Sequence, residues 1–222
     1  MAAMKDAPFI DREDAARKLV PLLISYKNNP NAVVLGLPSS GVVIAKHIAQ
    51  ELSLPLDVIV VKKVSVSTNV EFAVGAVTED GASYFDWSLI KNLDVSKKYI
   101  DNATKENFAE AKRRSDAYRR AIPIKDLHGK IAIVVDDGIT TGATMQAAIS
   151  AVEGRGAKKI VIAAPVASKE SLKSISKEIT EVACPVFREP FWAVDEFYSH
   201  FPKVEDGDII ALLQNSNKSI AH

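Results

Sequence analysis

Along this chain the apolar residues gather into short unbroken runs separated by amphipathic stretches. "AVVLGL" (32–37), "LDVIVV" (56–61), "KIAIVV" (130–135) and "KKIVIAAPV" (158–166) are rich in β-branched residues. Runs this short, apolar at successive positions, predict strands buried on both faces of a parallel sheet. "GVVIAKHIAQEL" (41–52), "GATMQAAISAVEGRG" (142–156) and "KESLKSISKEI" (169–179) follow with helical spacing, and "EVACPVF" (181–187) closes the series. Strands alternating with helices predict an α/β fold, a parallel sheet flanked by helices. Ligands of such sheets sit outside the carboxyl ends of the strands. The corners after Leu37, Val61, Val135 and Val166 are therefore the places to look for function.

Three regions depart from this alternation. An N-terminal helix is predicted to start at Asp11 as cap, with Asp14 three residues on. The stretch 64–125 reads as an insertion. "EFAVGAVTEDGASYF" (71–85) alternates around Asp80-Gly81 as a hairpin does. Across 96–122, Ile100, Thr104, Phe108, Ala111, Ser115, Tyr118 and Ile122 recur every three or four residues, predicting one long amphipathic helix. The basic run "KRRSDAYRR" (112–120) could reach phosphate, but on a long amphipathic helix such a run is more often the solvated face, and it is left out of the expected site. Residues 1–180 form the expected core, the aromatic-rich 181–213 a small C-terminal hood over the ligand edge, and the polar 214–222 a frayed tail.

Composition narrows the class. The 222 residues suffice for a substantial core, and 47% apolar with 25% charged is ordinary for a globular domain. Lys plus Arg (28) balances Asp plus Glu (28), so no overall field favours nucleic acid or an anionic membrane. Any bound anion must be held by local geometry. The N-terminus lacks a signal-like apolar segment, no stretch has the length of a membrane span, and the four histidines have no metal-ligand spacing. The single Cys184 has no internal partner for a disulfide. A cytoplasmic protein without a structural metal is the expectation.

The segment "KIAIVVDDGITTGATMQAA" (130–148) carries the chemistry. A buried strand brings Asp136 and Asp137 to the sheet edge; a Gly- and Thr-rich loop follows and a helix begins near Gly142. Loop amides and the N–H groups at a helix start form a donor array for phosphate, aided by the helix dipole. Thr140, Thr141 and Thr144 add hydroxyls, while Gly138 and Gly142 permit unusual angles and close approach of a ligand. Carboxylates facing a phosphate would repel it, so Asp136 and Asp137 belong on sugar hydroxyls or on a magnesium ion. The pattern implies a phosphorylated sugar with free vicinal hydroxyls.

"VVDDGITTGATM" resembles the signature of the type I phosphoribosyltransferases, which bind 5-phosphoribosyl 1-diphosphate. The resemblance extends through "NVEFAVGAV" (69–77) and "EPFWAVDEFYSHF" (189–201) to a little-characterised branch of the family, and covers residues from about 9 to 213. It implies the type I fold, a cytoplasmic homodimer, and displacement of diphosphate from ribose C1 by a nitrogen of a nucleobase or similar heterocycle. It implies Mg²⁺ as cofactor, held mainly by substrate. Asp136 and Asp137 would hold the ribose hydroxyls; Gly138, Ile139, Thr140, Thr141, Gly142, Ala143 and Thr144 would hold the 5-phosphate. Ser39, Ser40, Gly41 and Lys62 would face the diphosphate, with Lys63 the preferred catalytic lysine. Phe191 and Trp192 are candidates for the acceptor pocket, as are Phe197 and Tyr198; each of the four serves equally well as a hydrophobic plug or a dimer contact. Arg188 and Glu189 could read the acceptor's polar edge.

Two departures matter. Purine-type members often place an Asp where Thr140 stands, and Thr140 cannot take a proton at neutral pH. The branch often reads Pro-Arg-Gly-Gly at the first corner, where this chain has Pro38-Ser39-Ser40-Gly41, so a bidentate guanidinium is missing from the loop. A non-catalytic sensor of the sugar diphosphate on the same fold is thus the alternative to an enzyme, and a sugar-phosphate hydrolase a more distant third. An esterase elbow is disfavoured, because "GLPSSG" misses G-x-S-x-G at both serines.

Overall fold

A computed structural model describes residues 7–66, 73–175 and 181–218 of the chain. Helix α1 (Arg12–Leu19) opens as predicted: the Asp11 carboxylate accepts the Asp14 backbone N–H at 2.8 Å. A 3₁₀ segment (Val20–Tyr26) leads to β1 (Ala32–Gly36), then α2 (Ser40–Leu52) and β2 (Leu56–Val58). The insertion follows as β3 (Val61–Ser65), β4 (Ala73–Thr78), β5 (Ser83–Phe85), α3 (Trp87–Asn92) and α4 (Lys97–Arg119). The remaining elements are β6 (Ile131–Val135), α5 (Ala143–Gly154), β7 (Lys159–Ala163), β8 (Val166–Ala167), α6 (Lys169–Ser174), β9 (Glu181–Ala183), β10 (Val186–Phe187), a second 3₁₀ turn (Val194–Phe197) and α7 (Asp206–Lys218).

The main sheet is parallel, in the order β2-β1-β6-β7-β9. Its central strands are apolar along their length because both faces are covered. One face packs α1, α2 and α7 around Leu19, Ile44, Ile48 and Leu213; the other packs α5 through Met145, Ile149 and Val152. The far side of α5 carries the antiparallel sheet β3-β4-β5. Register decides where the site can be. Gly36 on β1 lies opposite Val135 on β6, so the two chains leave the sheet side by side.

Three predicted runs divide. "LDVIVV" supplies β2, then crosses at residues 59–60 into β3 of the antiparallel sheet. Lys62 and Lys63 are therefore β3 residues, paired with Val77 and Ala76, and do not end a parallel strand. "KKIVIAAPV" divides into β7 and β8, and "EVACPVF" into β9 and β10, with β8 and β10 forming a separate parallel pair. Pro165 and Pro185 stand at the breaks, where a residue without a backbone N–H cannot continue a central ladder. β9 completes the main sheet, so the covering segment begins after it.

The β4–β5 hairpin turns at residues 79–82, with Val77 opposite Ser83; its expected start at 71–72 lies outside the described residues. On α4 the buried stripe holds at Ile100, Ala111, Ser115 and Tyr118, but Phe108 stays 36% exposed beside the hairpin turn. α6 is described to residue 174. The expected fraying from residue 214 is corrected by α7, which continues to Lys218 with Ile209, Leu213 and Ser216 buried against the rest of the fold.

Candidate functional site

A cavity of about 500 Å³ opens at the carboxyl ends of β1 and β6. Its walls include Ser39, Ser40, Lys62, Lys63, Asp136, Asp137, the loop Gly138–Gly142, Thr144 and the hood residues Trp192–Asp195. Most of the residues singled out in the sequence thus share one space. Gly41, Ala143 and Phe191 do not line it.

Gly41 has a packing reason instead. A Cβ there would stand 2.6 Å from the Val135 carbonyl oxygen and 2.9 Å from Asp136 Cα, so only glycine lets the start of α2 approach the end of β6. Ala143 is buried as the first residue of α5. Phe191 packs edge-on against Phe197, with ring centroids 4.8 Å apart. Phe197 and Tyr198 are core residues, so these aromatics form the plug; Trp192, 68% exposed, and Phe201 are the rings that line the cavity. Glu189 does not line the cavity: its carboxylate accepts from Ser168 Oγ at 2.9 Å and from the Glu170 N–H at the start of α6.

The loop 138–142 is held by its backbone. Ile139 N–H donates to the Val166 carbonyl at 2.9 Å, and Ser168 N–H donates to the Ile139 carbonyl at 3.0 Å, an isolated bridge to β8. Ser171 Oγ donates to the Thr140 carbonyl. Gly142 caps α5 at φ +80°, a left-handed angle that favours glycine, and its carbonyl accepts from Gln146 N–H at 2.9 Å. The close approach at Gly138 is made by the hood: a Cβ there would lie 2.9 Å from both Val194 methyls.

Asp136 and Asp137 stand half-buried on the wall between this loop and the Ser39–Ser40 corner. Burial raises the Asp136 pKa well above the usual carboxylate range, and the neighbouring Asp137 pushes the same way. The Asp137 backbone N–H, 2.9 Å from Asp136 Oδ1, and the Lys63 ammonium act against this. Burial also raises Asp137, against a Ser40 hydroxyl hydrogen bond and the charges of Arg12 and Lys63. The alternation of β3 sets Lys63 on the Val61 side, towards α5 and the carboxylates, and Lys62 on the Val64 side, towards α4.

Sequence reasoning missed two arginines. Arg12, 5% exposed, lies over the Phe201 ring at 3.8 Å and donates from Nη2 to Ser40 Oγ at 2.8 Å. The Ser40 hydroxyl in turn favours the ionised form of Asp137. Arg114 belongs to the run expected on the solvated face of α4, yet its side chain is 12% exposed and lines the cavity. It donates to Ser39 Oγ at 3.2 Å and to Asp206 on α7 at 2.8 and 2.5 Å. A signal existed: Arg114 falls three residues after Ala111 and four before Tyr118, on the edge of the buried stripe. Arg119 is also turned inward, onto the fully buried Asp57. Among the described residues no group of three or more His, Cys, Asp or Glu side chains is placed to hold a metal, and no helix is long and apolar enough to cross a membrane.

A model of the family described as "Phosphoribosyl transferase domain" matches residues 10–201. Proteins from two strains of Mycobacterium tuberculosis, each named "Putative phosphoribosyl transferase", are 34% identical over 213 residues. The match takes in 96% of this chain and 48% of each relative, so the chain spans about half their length. The crystal structure of TT1426 from Thermus thermophilus is similar throughout, with 35% identity and a TM-score of 0.75, covering 93% of this chain and 98% of that one.

Proposed function

Because this chain belongs to the phosphoribosyl transferase domain family, we propose that it transfers the phosphoribosyl group of 5-phosphoribosyl 1-diphosphate to a ring nitrogen of a heterocycle, with release of diphosphate. The observation that carries the reading is the pair Asp136–Asp137 set between a backbone phosphate cradle on one side and the corner with Lys62 and Lys63 on the other, in one cavity. A sugar 5-phosphate fits the loop amides and the first turn of α5, where donors converge and the helix dipole favours an anion. The ribose hydroxyls then donate to the two carboxylates.

In the reaction the C1–oxygen bond breaks as the nitrogen–C1 bond forms, and diphosphate leaves with the bonding pair. Lys63 and Lys62 stabilise the departing charge, and the cavity holds sugar and acceptor in line. Trp192 at the rim offers a face for a flat acceptor. Thr140 takes no proton at neutral pH, so the reading favours an acceptor whose reacting nitrogen is already anionic. The donor set suits a magnesium ion held mostly by substrate oxygens: two adjacent carboxylates whose pKa values are raised by burial gain from a cation, yet they are too few for a protein cage. Bound there against Asp136 and Asp137, the ion would neutralise diphosphate charge. A cytoplasmic homodimer is proposed on the resemblance alone; sedimentation analysis tests the dimer.

The test is a screen of nucleobases and related heterocycles for diphosphate release from the sugar diphosphate with magnesium. Release with one acceptor, abolished in the double variant Asp136→Asn/Asp137→Asn, supports the enzyme. Tight binding of the sugar diphosphate with release for none of them turns the reading to the sensor. No binding at all removes both.

A further inference from the structure

We propose that Arg114, presented by Asp206, is the guanidinium that binds the diphosphate in this chain, supplied by the insertion helix α4 where the corner loop carries only serines; the inference rests on the reading above and names a residue for it. A guanidinium has five N–H donors in a fixed fork. In Arg114, Nε and Nη2 engage Asp206 Oδ1, and Nη2 also reaches Ser39 Oγ. Nη1 makes no hydrogen bond to the described residues, and Arg114 lines the cavity, so two N–H groups are left for a ligand there.

The two serines of the corner are not equivalent. The Ser40 oxygen accepts from Arg12, and its hydroxyl favours the ionised form of Asp137. Ser39 instead accepts from Arg114, which leaves its own O–H to donate elsewhere. Arg114 and Ser39 therefore form one donor pair, beside Lys62 and Lys63 on the same cavity. Asp206 accepts both fork donors through a single oxygen, and Arg113, itself paired with Glu110, approaches the other oxygen at 3.5 Å. The Tyr118 hydroxyl also donates to Asp206, fixing the carboxylate from α4 itself. Asp206 acts through Arg114 and is a positioning residue.

The experiment is isothermal titration of the whole chain with three probes in magnesium: the sugar diphosphate, ribose 5-phosphate and inorganic diphosphate. Arg114→Ala should weaken the sugar diphosphate and inorganic diphosphate by about 10- to 100-fold, the range of a charge-assisted pair, and leave ribose 5-phosphate within about 2-fold. Arg114→Lys keeps the charge without the fork and should fall between. Asp206→Asn and Ser39→Ala should each lose a few-fold, confined to the two diphosphate probes. Equal losses for all three probes would make Arg114 a structural strut and overturn the inference, as would an unchanged diphosphate affinity. Wild-type binding with an unaffected Arg114 variant sinks the inference alone; a wild type that binds none of the probes sinks the reading beneath it. Should Arg114→Ala fail to fold, Arg114→Lys and Ser39→Ala decide by the same contrast.

Discussion

The loop at 138–142 and the corner at 38–41 face each other across one cavity, yet they are held by different means. The loop is fixed chiefly by main-chain bonds to β8, with one side chain, Ser171, on the Thr140 carbonyl. The corner is held by side chains reaching in from α1 and α4, at sequence separations of 28 and 75 residues. A wall of backbone carries its chemistry in its own sequence. A wall of borrowed side chains can change its loop residues and keep its charge, because the charge lives on another element.

If that contrast holds, damage at the two walls should differ in kind. The largest effect is expected where the walls join: Gly41→Ala forces a Cβ onto the backbone of β6 and should cost about 3 kcal/mol, the upper part of the overpacking range, in urea unfolding. Gly142→Ala strains a left-handed cap and should cost about 1–2 kcal/mol, with loss of ribose 5-phosphate affinity in titration. Asp136→Asn should act with the opposite sign. Burial holds this carboxyl above its unfolded pKa, so the folded state binds the proton more tightly and stability is lost as pH rises from the ordinary carboxylate range to the raised value. The variant should be more stable than wild type by about 1 kcal/mol at about pH 8 and equal to it near about pH 3, while losing the sugar. The smallest effect is Tyr198→Phe, which removes a 2.8 Å hydrogen bond to the Asp137 carbonyl and should cost about 0.5 kcal/mol in the same unfolding assay.

The same contrast explains what the sequence disclosed. The central strands, α2, α5 and the α1 cap were legible because their signals are local: apolar runs, helical spacing, an aspartate before a helix. The gathering of Asp136, Asp137, Thr140 and the serines into one cavity followed from the rule about strand ends together with the β1–β6 register. Arg12 and Arg114 escaped because a charged residue on a helix reads as solvated until the helix's neighbours are known. The run at 56–61 hid its crossing into a second sheet, since buried strands of both sheets are apolar alike. Polar residues at 214–218 disguised a helix whose anchoring side chains, Ile209 and Leu213, lie just before them.

The hood has a consequence for how the molecule is made. Phe9 lies beside Tyr198: the Phe9 N–H donates to the Phe197 carbonyl, the Ser199 N–H to the Phe9 carbonyl and the His200 N–H to the Ile10 carbonyl. Residues near the start of the described chain are thus joined to residues near its end, on the same hood that brings Val194 close to Gly138. On a ribosome delivering the chain from its N-terminal side, β1, α2, β6 and α5 can dock while the roof of the cavity is still untranslated. Ligand binding by a nascent chain should therefore switch on late and in one step, after residue 200 has cleared the exit tunnel.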